Sequence, residues 1–113
     1  MMVQSSSEKE GIFSTHLQGA VAMRTVPGIR KALLGVARKS GIKEIRIDFS
    51  RVTVLDTAGV AMLVEIWRRL ARRGGTLRLT GLSDHARRLI QLARLDQIFE
   101  VRDGPERRVP YGS

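Results

Sequence analysis

Val54-Leu-Asp-Thr-Ala-Gly59 is the stretch on which the reading of this chain turns. Before it, Glu44-Ile-Arg-Ile-Asp-Phe49 alternates with period two, as a half-buried strand does, and Val52 to Leu55 prolongs the extended path. After it, the apolar residues recur at helical spacing as far as Arg73. A strand-to-helix junction therefore falls at Asp56-Thr57. Asp56 is an N-cap residue type, placed to accept a backbone N–H of the first helical turn. Ala58 and Gly59 keep the surroundings small, and Thr57 offers a hydroxyl at the helix start. A phosphoryl group there would add roughly two negative charges beside a helix N-terminus.

The pattern extends outward on both sides. On the second helix, Val60, Leu63, Val64, Trp67, Leu70 and Ala71 gather within an arc of roughly 120°, which predicts the buried face. Met62 and Ile66 point away from that arc, and two exposed apolar residues near Thr57 suggest a partner patch. Gly74-Gly75 stops the helix, and Thr76-Leu-Arg-Leu-Thr80 alternates as a strand. Ser83 caps a helix to Ala93 with Leu89, Ile90 and Leu92 on its apolar side, and Ile98 to Val101 is a short last strand. Upstream, Ile12 to Gln18 reads as a first strand ended by Gly19, with Ala20 to Met23 pairing back on it. Thr25 with Pro27 starts a helix that runs to about Lys39. Residues 1–11 read as a flexible lead, 12–102 as one domain, and 103–113 as a Gly/Pro/Arg tail. The order β, β, α, β, α, β, α, β predicts an α/β domain: a mixed sheet of about four to five strands with crossover helices. Functional loops of such sheets gather at the carboxyl ends of the strands, where Asp56-Thr57 lies.

Composition narrows the function. The 113 residues suit one hydrophobic core; 42% are apolar and only 4% aromatic, so Leu, Ile, Val and Ala build it. There is no cysteine, hence no disulfide framework and no thiolate ligand or nucleophile. His16 and His85 fall in different elements and have no carboxylate cluster beside them, which argues against a metal site or an acid–base pair. No Walker motif or dinucleotide glycine loop is present. These absences point to a non-enzymatic domain without cofactor or small-molecule substrate. No apolar run approaches the ~20 residues of a membrane span, and the expected location is the cytoplasm. The net charge of +9 favours acidic partners, with peripheral contact to anionic lipid among them. Nucleic acid fits less well, because the few aromatics are not interleaved with the basic residues. Arg68, Arg69, Arg72 and Arg73 read as a solvated helix end that complements the helix dipole.

Four segments in order carry a resemblance: Ile45-Arg-Ile-Asp-Phe-Ser50, Val54-Leu-Asp-Thr-Ala-Gly59, Gly74-Gly-Thr-Leu-Arg-Leu79 and Leu92-Ala-Arg-Leu-Asp-Gln-Ile-Phe99. Together they resemble the STAS domain (sulfate transporter and anti-sigma factor antagonist). The resemblance implies a STAS-like fold and a binding module rather than an enzyme. In antagonists of this family the Ser or Thr after the Asp is phosphorylated by a GHKL-type kinase that is also the anti-sigma factor; here that position is Thr57. The implied partner-binding residues are Asp56, Thr57, Ala58 and Gly59, joined by Met62 and Ile66 from the patch above. A second branch is similar too: the STAS subunit of Mla-type lipid-transport ABC complexes, which binds the ATPase subunit. Asp56-Thr-Ala-Gly-Val-Ala-Met-Leu63 looks closer to that branch's Asp-Thr-x-Gly-Leu-Ala-Leu-Leu than to the antagonists' Asp-Ser-Ser-Gly-Leu-Gly. The chain also departs from the antagonist pattern at the first hairpin, where an acidic Gly-Glu-Leu-Asp gives way to Gly19-Ala20-Val21-Ala22. A kinase suited to those acids meets a different field here.

Overall fold

The computed structural model describes the backbone of residues 3–102 and the side chains of residues 7–102. The elements run β1 (Val3–Lys9), β2 (Ile12–Val21), α1 (Val26–Ala37), β3 (Glu44–Leu55), α2 (Thr57–Ala71), β4 (Thr76–Thr80), α3 (Asp84–Leu92), a 3-10 turn (Leu95–Gln97) and β5 (Glu100–Arg102). One five-stranded sheet has the spatial order β1-β2-β3-β4-β5. β1 is antiparallel to β2, and β2 through β5 are mutually parallel. Each crossover steps to the next strand in the same direction, and right-handed crossovers of that kind put α1, α2 and α3 on one face of the sheet.

Burial follows that layering. Leu17, Ile45, Ile47, Leu77 and Leu79 point into the helical layer and are fully buried. They meet Ile29 and Leu33 of α1 and Met62, Leu63, Ile66 and Leu70 of α2 in one core. The alternate residues Glu44, Arg46, Asp48 and Arg78 line the opposite, open face and are half-buried. Their charges cancel locally. Glu44 pairs with Arg46 at 2.6 Å and with Arg78 at 3.5 Å, and Arg78 pairs with Glu100 at 2.8 Å.

Three expectations need correction. The first is the flexible lead, because residues 3–9 form β1. The hairpin is β1–β2, closed by Glu10-Gly11 between the paired Lys9 and Ile12, and not a fold-back of Ala20 to Met23. Both loop residues have positive φ, 54° and 81°, the type I′ geometry that matches strand twist and that glycine adopts without strain. β2 runs on through Gly19 to Val21, slipping register with β3 between Gly19 and Ala20.

The second concerns α2. Met62 is 2% exposed and Ile66 0%, so neither can form a surface patch. The buried stripe is Gly59, Met62, Leu63, Ile66 and Leu70, rotated by roughly 80° from the expected arc. Val60, Val64 and Trp67 are only partly buried against the same core. The physical reason is that α2 packs on both the sheet and α1, so apolar residues occupy most of its circumference. The densest sector on a wheel is then not the centre of the buried one. The third is Leu92, expected on the apolar side of α3 with Leu89 and Ile90: Ile90 is buried and Leu89 partly so, but Leu92 is 76% exposed and Ala86 is buried in its stead. The expected tail, 103–113, lies outside the described residues. Among those residues no helix is long and apolar enough to cross a membrane.

Candidate functional site at the start of α2

β3 delivers Leu55 into the core, and the chain turns into α2 at the next residue. Asp56 has an extended backbone (φ −108°, ψ −175°), as an N-cap requires. Its Oδ1 accepts the Gly59 N–H at 3.0 Å, and its Oδ2 accepts the Met23 N–H, also at 3.0 Å. The same carboxylate thus caps α2 and anchors the β2–α1 loop. These bonds hold its pKa below the ordinary value of 3.8, the Gly59 amide most strongly; burial opposes them and the Met23 amide adds to them. The Asp56 N–H in turn donates to the Val21 carbonyl at 3.3 Å.

Gly59 makes this junction possible. A Cβ at that position would lie 2.7 Å from the Val21 carbonyl oxygen and 2.7 Å from Leu55 Cδ1. Only a glycine lets the first turn of α2 approach the end of β2 so closely. The β2–α1 loop is held from its own side by Thr25. The Thr25 hydroxyl donates to the Ala20 carbonyl at 2.7 Å and accepts the Ala22 N–H at 3.0 Å. Expected as the cap of α1, Thr25 makes no side-chain bond to that helix and organises the loop before it.

Two loops are therefore joined into one surface at the carboxyl end of the sheet. Thr57 is exposed on it, Ala58 and Asp56 are half-buried, and Gly59 is buried. Of the six expected site residues the structure brings Asp56, Thr57, Ala58 and Gly59 together, while Met62 and Ile66 face the core. The exposed apolar groups at this edge are Met23, 74% exposed and tied by its amide to Asp56, and Val54, 50% exposed. Sequence reading missed both. The available signal was a Met in a short connector just before Thr25, and a Val that the alternation of β3 places off the buried side.

Chemically the edge offers the Thr57 hydroxyl and backbone amides, and its one carboxylate, Asp56, is already engaged by the Gly59 and Met23 amides. A cleft of about 240 Å³ lies beside it between β3 and α3, lined by Phe49, Val52, Thr53, Leu55, Ser83 and His85 among others. The Ser83 hydroxyl there accepts the Ala86 N–H at 3.1 Å as the N-cap of α3. Among the described residues no group of three His, Asp or Glu is arranged to hold a metal ion. The basic end of α2 is at the other pole. Arg73, expected as part of a solvated end, instead brings Nη2 within 2.5, 3.0 and 2.9 Å of the carbonyls of Ala37, Lys39 and Ile42. It fastens the end of α1 and the entry to β3.

Comparison with known proteins agrees with this geometry. The STAS domain model matches residues 5–106. An anti-sigma-B factor antagonist of Listeria monocytogenes is 33% identical over 85 residues, which cover 75% of this chain and 74% of the relative. The fold superposes on the anti-sigma factor antagonist SpoIIAA in its unphosphorylated form with a TM-score of 0.76, at 20% identity over 92% of this chain and 90% of that one. The phosphorylated form of SpoIIAA from Bacillus gives the same TM-score, 0.76, at 21% identity over 92% of both chains. These relatives are regulatory antagonists rather than enzymes, and they lend nothing to the lipid-transport alternative. The chain belongs to the STAS domain family, as a non-catalytic partner-switch module of the anti-sigma factor antagonist kind.

Proposed function

We propose that the chain is a cytoplasmic antagonist whose binding of an anti-sigma factor is set by the charge on Thr57. The observation that carries this reading is the exposed Thr57 hydroxyl at the first position of α2, beside an Asp56 carboxylate already occupied by two backbone amides. With Thr57 unmodified, the joined edge presents a small hydroxyl alongside the exposed apolar Met23 and Val54, a surface a protein partner can cover with no charge at Thr57. With Thr57 phosphorylated, roughly two negative charges enter the same spot. The remaining free amides of the helix N-terminus stabilise that dianion, whereas Asp56 repels it. The partner then has to desolvate an unpaired charge and dissociates.

The partner in this reading is a GHKL-type kinase that doubles as the anti-sigma factor, and Asp56, Thr57, Ala58 and Gly59 form the contact, with Met23 and Val54 in place of Met62 and Ile66. The test is phosphorylation by the kinase encoded beside the sigma factor of the same genome, with mass-spectrometric mapping of the site. Incorporation at Thr57, abolished in Thr57→Ala, supports the reading. Incorporation elsewhere, or none with a kinase that phosphorylates its other antagonists, overturns it.

A further inference from the structure

The positive excess of this chain is not spread evenly. On the open sheet face Arg46, Arg78 and Arg102 are matched by Glu44 and Glu100 within 3.6 Å or less. The +9 net charge must therefore reside largely on the helical side. There, one segment sets two exposed arginines, Arg88 and Arg94, beside exposed apolar side chains, for a net charge of +1 with Asp96. Arg88 and Leu92 are four residues apart on the outer stripe of α3, and both are exposed. The chain then turns at Arg94, with φ 61°, into the 3-10 turn and Ile98. Leu92 is 76% exposed and Ile98 36%. Asp96 is the one acid in that run.

We propose that this turn, Arg88 through Ile98, docks the domain on an anionic lipid surface. A leucine standing in water between arginines is the pattern of an interfacial segment. The apolar group enters the acyl boundary while the guanidinium groups remain among the headgroup phosphates. Nucleic acid would use the arginines but gives no apolar environment to Leu92, and the patch has no aromatic side chain to stack on bases. The placement leaves the switch free. α3 begins after the carboxyl end of β4 and returns along the sheet, so its last turn lies at the pole opposite the start of α2. A docked domain would present Thr57 to the solvent. This inference is independent of the antagonist reading, since it uses none of the residues at that edge.

The test is co-sedimentation of the full chain with phosphatidylcholine vesicles, with and without one-third phosphatidylglycerol. Binding is expected on the anionic vesicles alone. Arg88→Gln and Arg94→Asn should each lower the partition about fivefold, and Leu92→Ser roughly tenfold. Asn is chosen because it tolerates the left-handed backbone at Arg94. Thr57→Glu should bind vesicles as the unaltered chain does. Leu92 is exposed, so its replacement leaves the melting temperature in place, and thermal melts of all variants check that. Equal binding to both vesicle types, no binding to anionic vesicles at low salt, or a Leu92→Ser chain that binds undiminished would each overturn the proposal. So would a gel shift with duplex DNA that persists at physiological salt and loses strength with Arg88→Gln, which would give the patch to nucleic acid.

Discussion

Replacing Gly59 with alanine places a methyl group 2.7 Å from the Val21 carbonyl oxygen and 3.1 Å from Val21 Cγ1. Ordinary carbon–oxygen contact is wider than 3 Å, so α2 or the end of β2 has to yield by several tenths of an ångström. Overpacking of this kind costs about 1–3 kcal/mol. The alanine recovers up to about 1 kcal/mol of helix propensity, less in a first turn than in a helix interior. The net expectation is a loss of about 1–2 kcal/mol, or roughly 5–15 °C in melting temperature for a domain of this size. Gly35 is the internal control. It sits in the exposed interior of α1, and a Cβ there has nothing within 4 Å. The same substitution at Gly35 should stabilise by about 0.5–1 kcal/mol. Thermal denaturation of the two single variants against the unaltered chain reads the contrast directly. The movement forced at Gly59 also pushes on the loop that Asp56 holds, so amide exchange at Met23 should accelerate in that variant and not in the other. A Gly59→Ala chain as stable as Gly35→Ala would refute the close approach on which the site geometry depends.

Met62→Ala or Ile66→Ala should each destabilise by about 2–5 kcal/mol in urea denaturation, because both side chains are buried; a surface role would leave stability within about 0.5 kcal/mol. Arg73→Ala removes the guanidinium donor to the carbonyls of Ala37, Lys39 and Ile42, of which the Lys39 carbonyl keeps the Ile42 N–H at 3.1 Å, and should cost about 2–3 kcal/mol. Arg73→Lys should recover only part of it, since an ammonium has no planar fork. Acid should destabilise the fold through three carboxyls held below their ordinary values: Asp56 by the Gly59 amide, Glu65 by Arg30 and Glu100 by Arg78. A folded-state pKa below the unfolded one contributes stability above the unfolded value, and that contribution is lost as pH falls through the folded one. The melting temperature should therefore hold above about pH 5 and decline below about pH 4, with a shallower decline in Asp56→Asn and Glu65→Gln. A melting temperature that rises on acidification would contradict the assignment.

Much of the architecture was legible because its signals are local. β3, the Asp56 cap, β4 and the Ser83 cap each depend on a few adjacent residues, and Asp56 and Ser83 both make the backbone bonds their positions imply. The misses share a different character. β1 reads Val3-Gln-Ser-Ser-Ser-Glu-Lys9, without apolar alternation, because an edge strand needs only one neighbour's hydrogen bonds to persist. Its turn, Glu10-Gly11, lacks the Asn-Gly or Asp-Gly signature although it takes the same conformation. Met62 and Ile66 were misplaced because α2 is apolar around most of its surface, and only its contact with α1 decides which sector is innermost. The tether from Asp56 to Met23 joins residues 33 apart in sequence, which no local pattern reveals. The threonine and its cap were thus readable, whereas the exposed Met23 and Val54, which we propose complete the contact, required the loops to be seen together.

The central claim, that charge at Thr57 sets partner binding without altering the fold, is tested most directly by calorimetric titration of the anti-sigma factor with the unaltered chain and with Thr57→Glu. The expected result is tight binding by the first and at least about thirtyfold weaker binding by the second, the cost of an unpaired charge at an interface. Their unfolding free energies should agree within about 0.5 kcal/mol, since Thr57 is exposed. Equal affinities, or a Thr57→Glu chain that loses its stability together with its binding, would contradict the account.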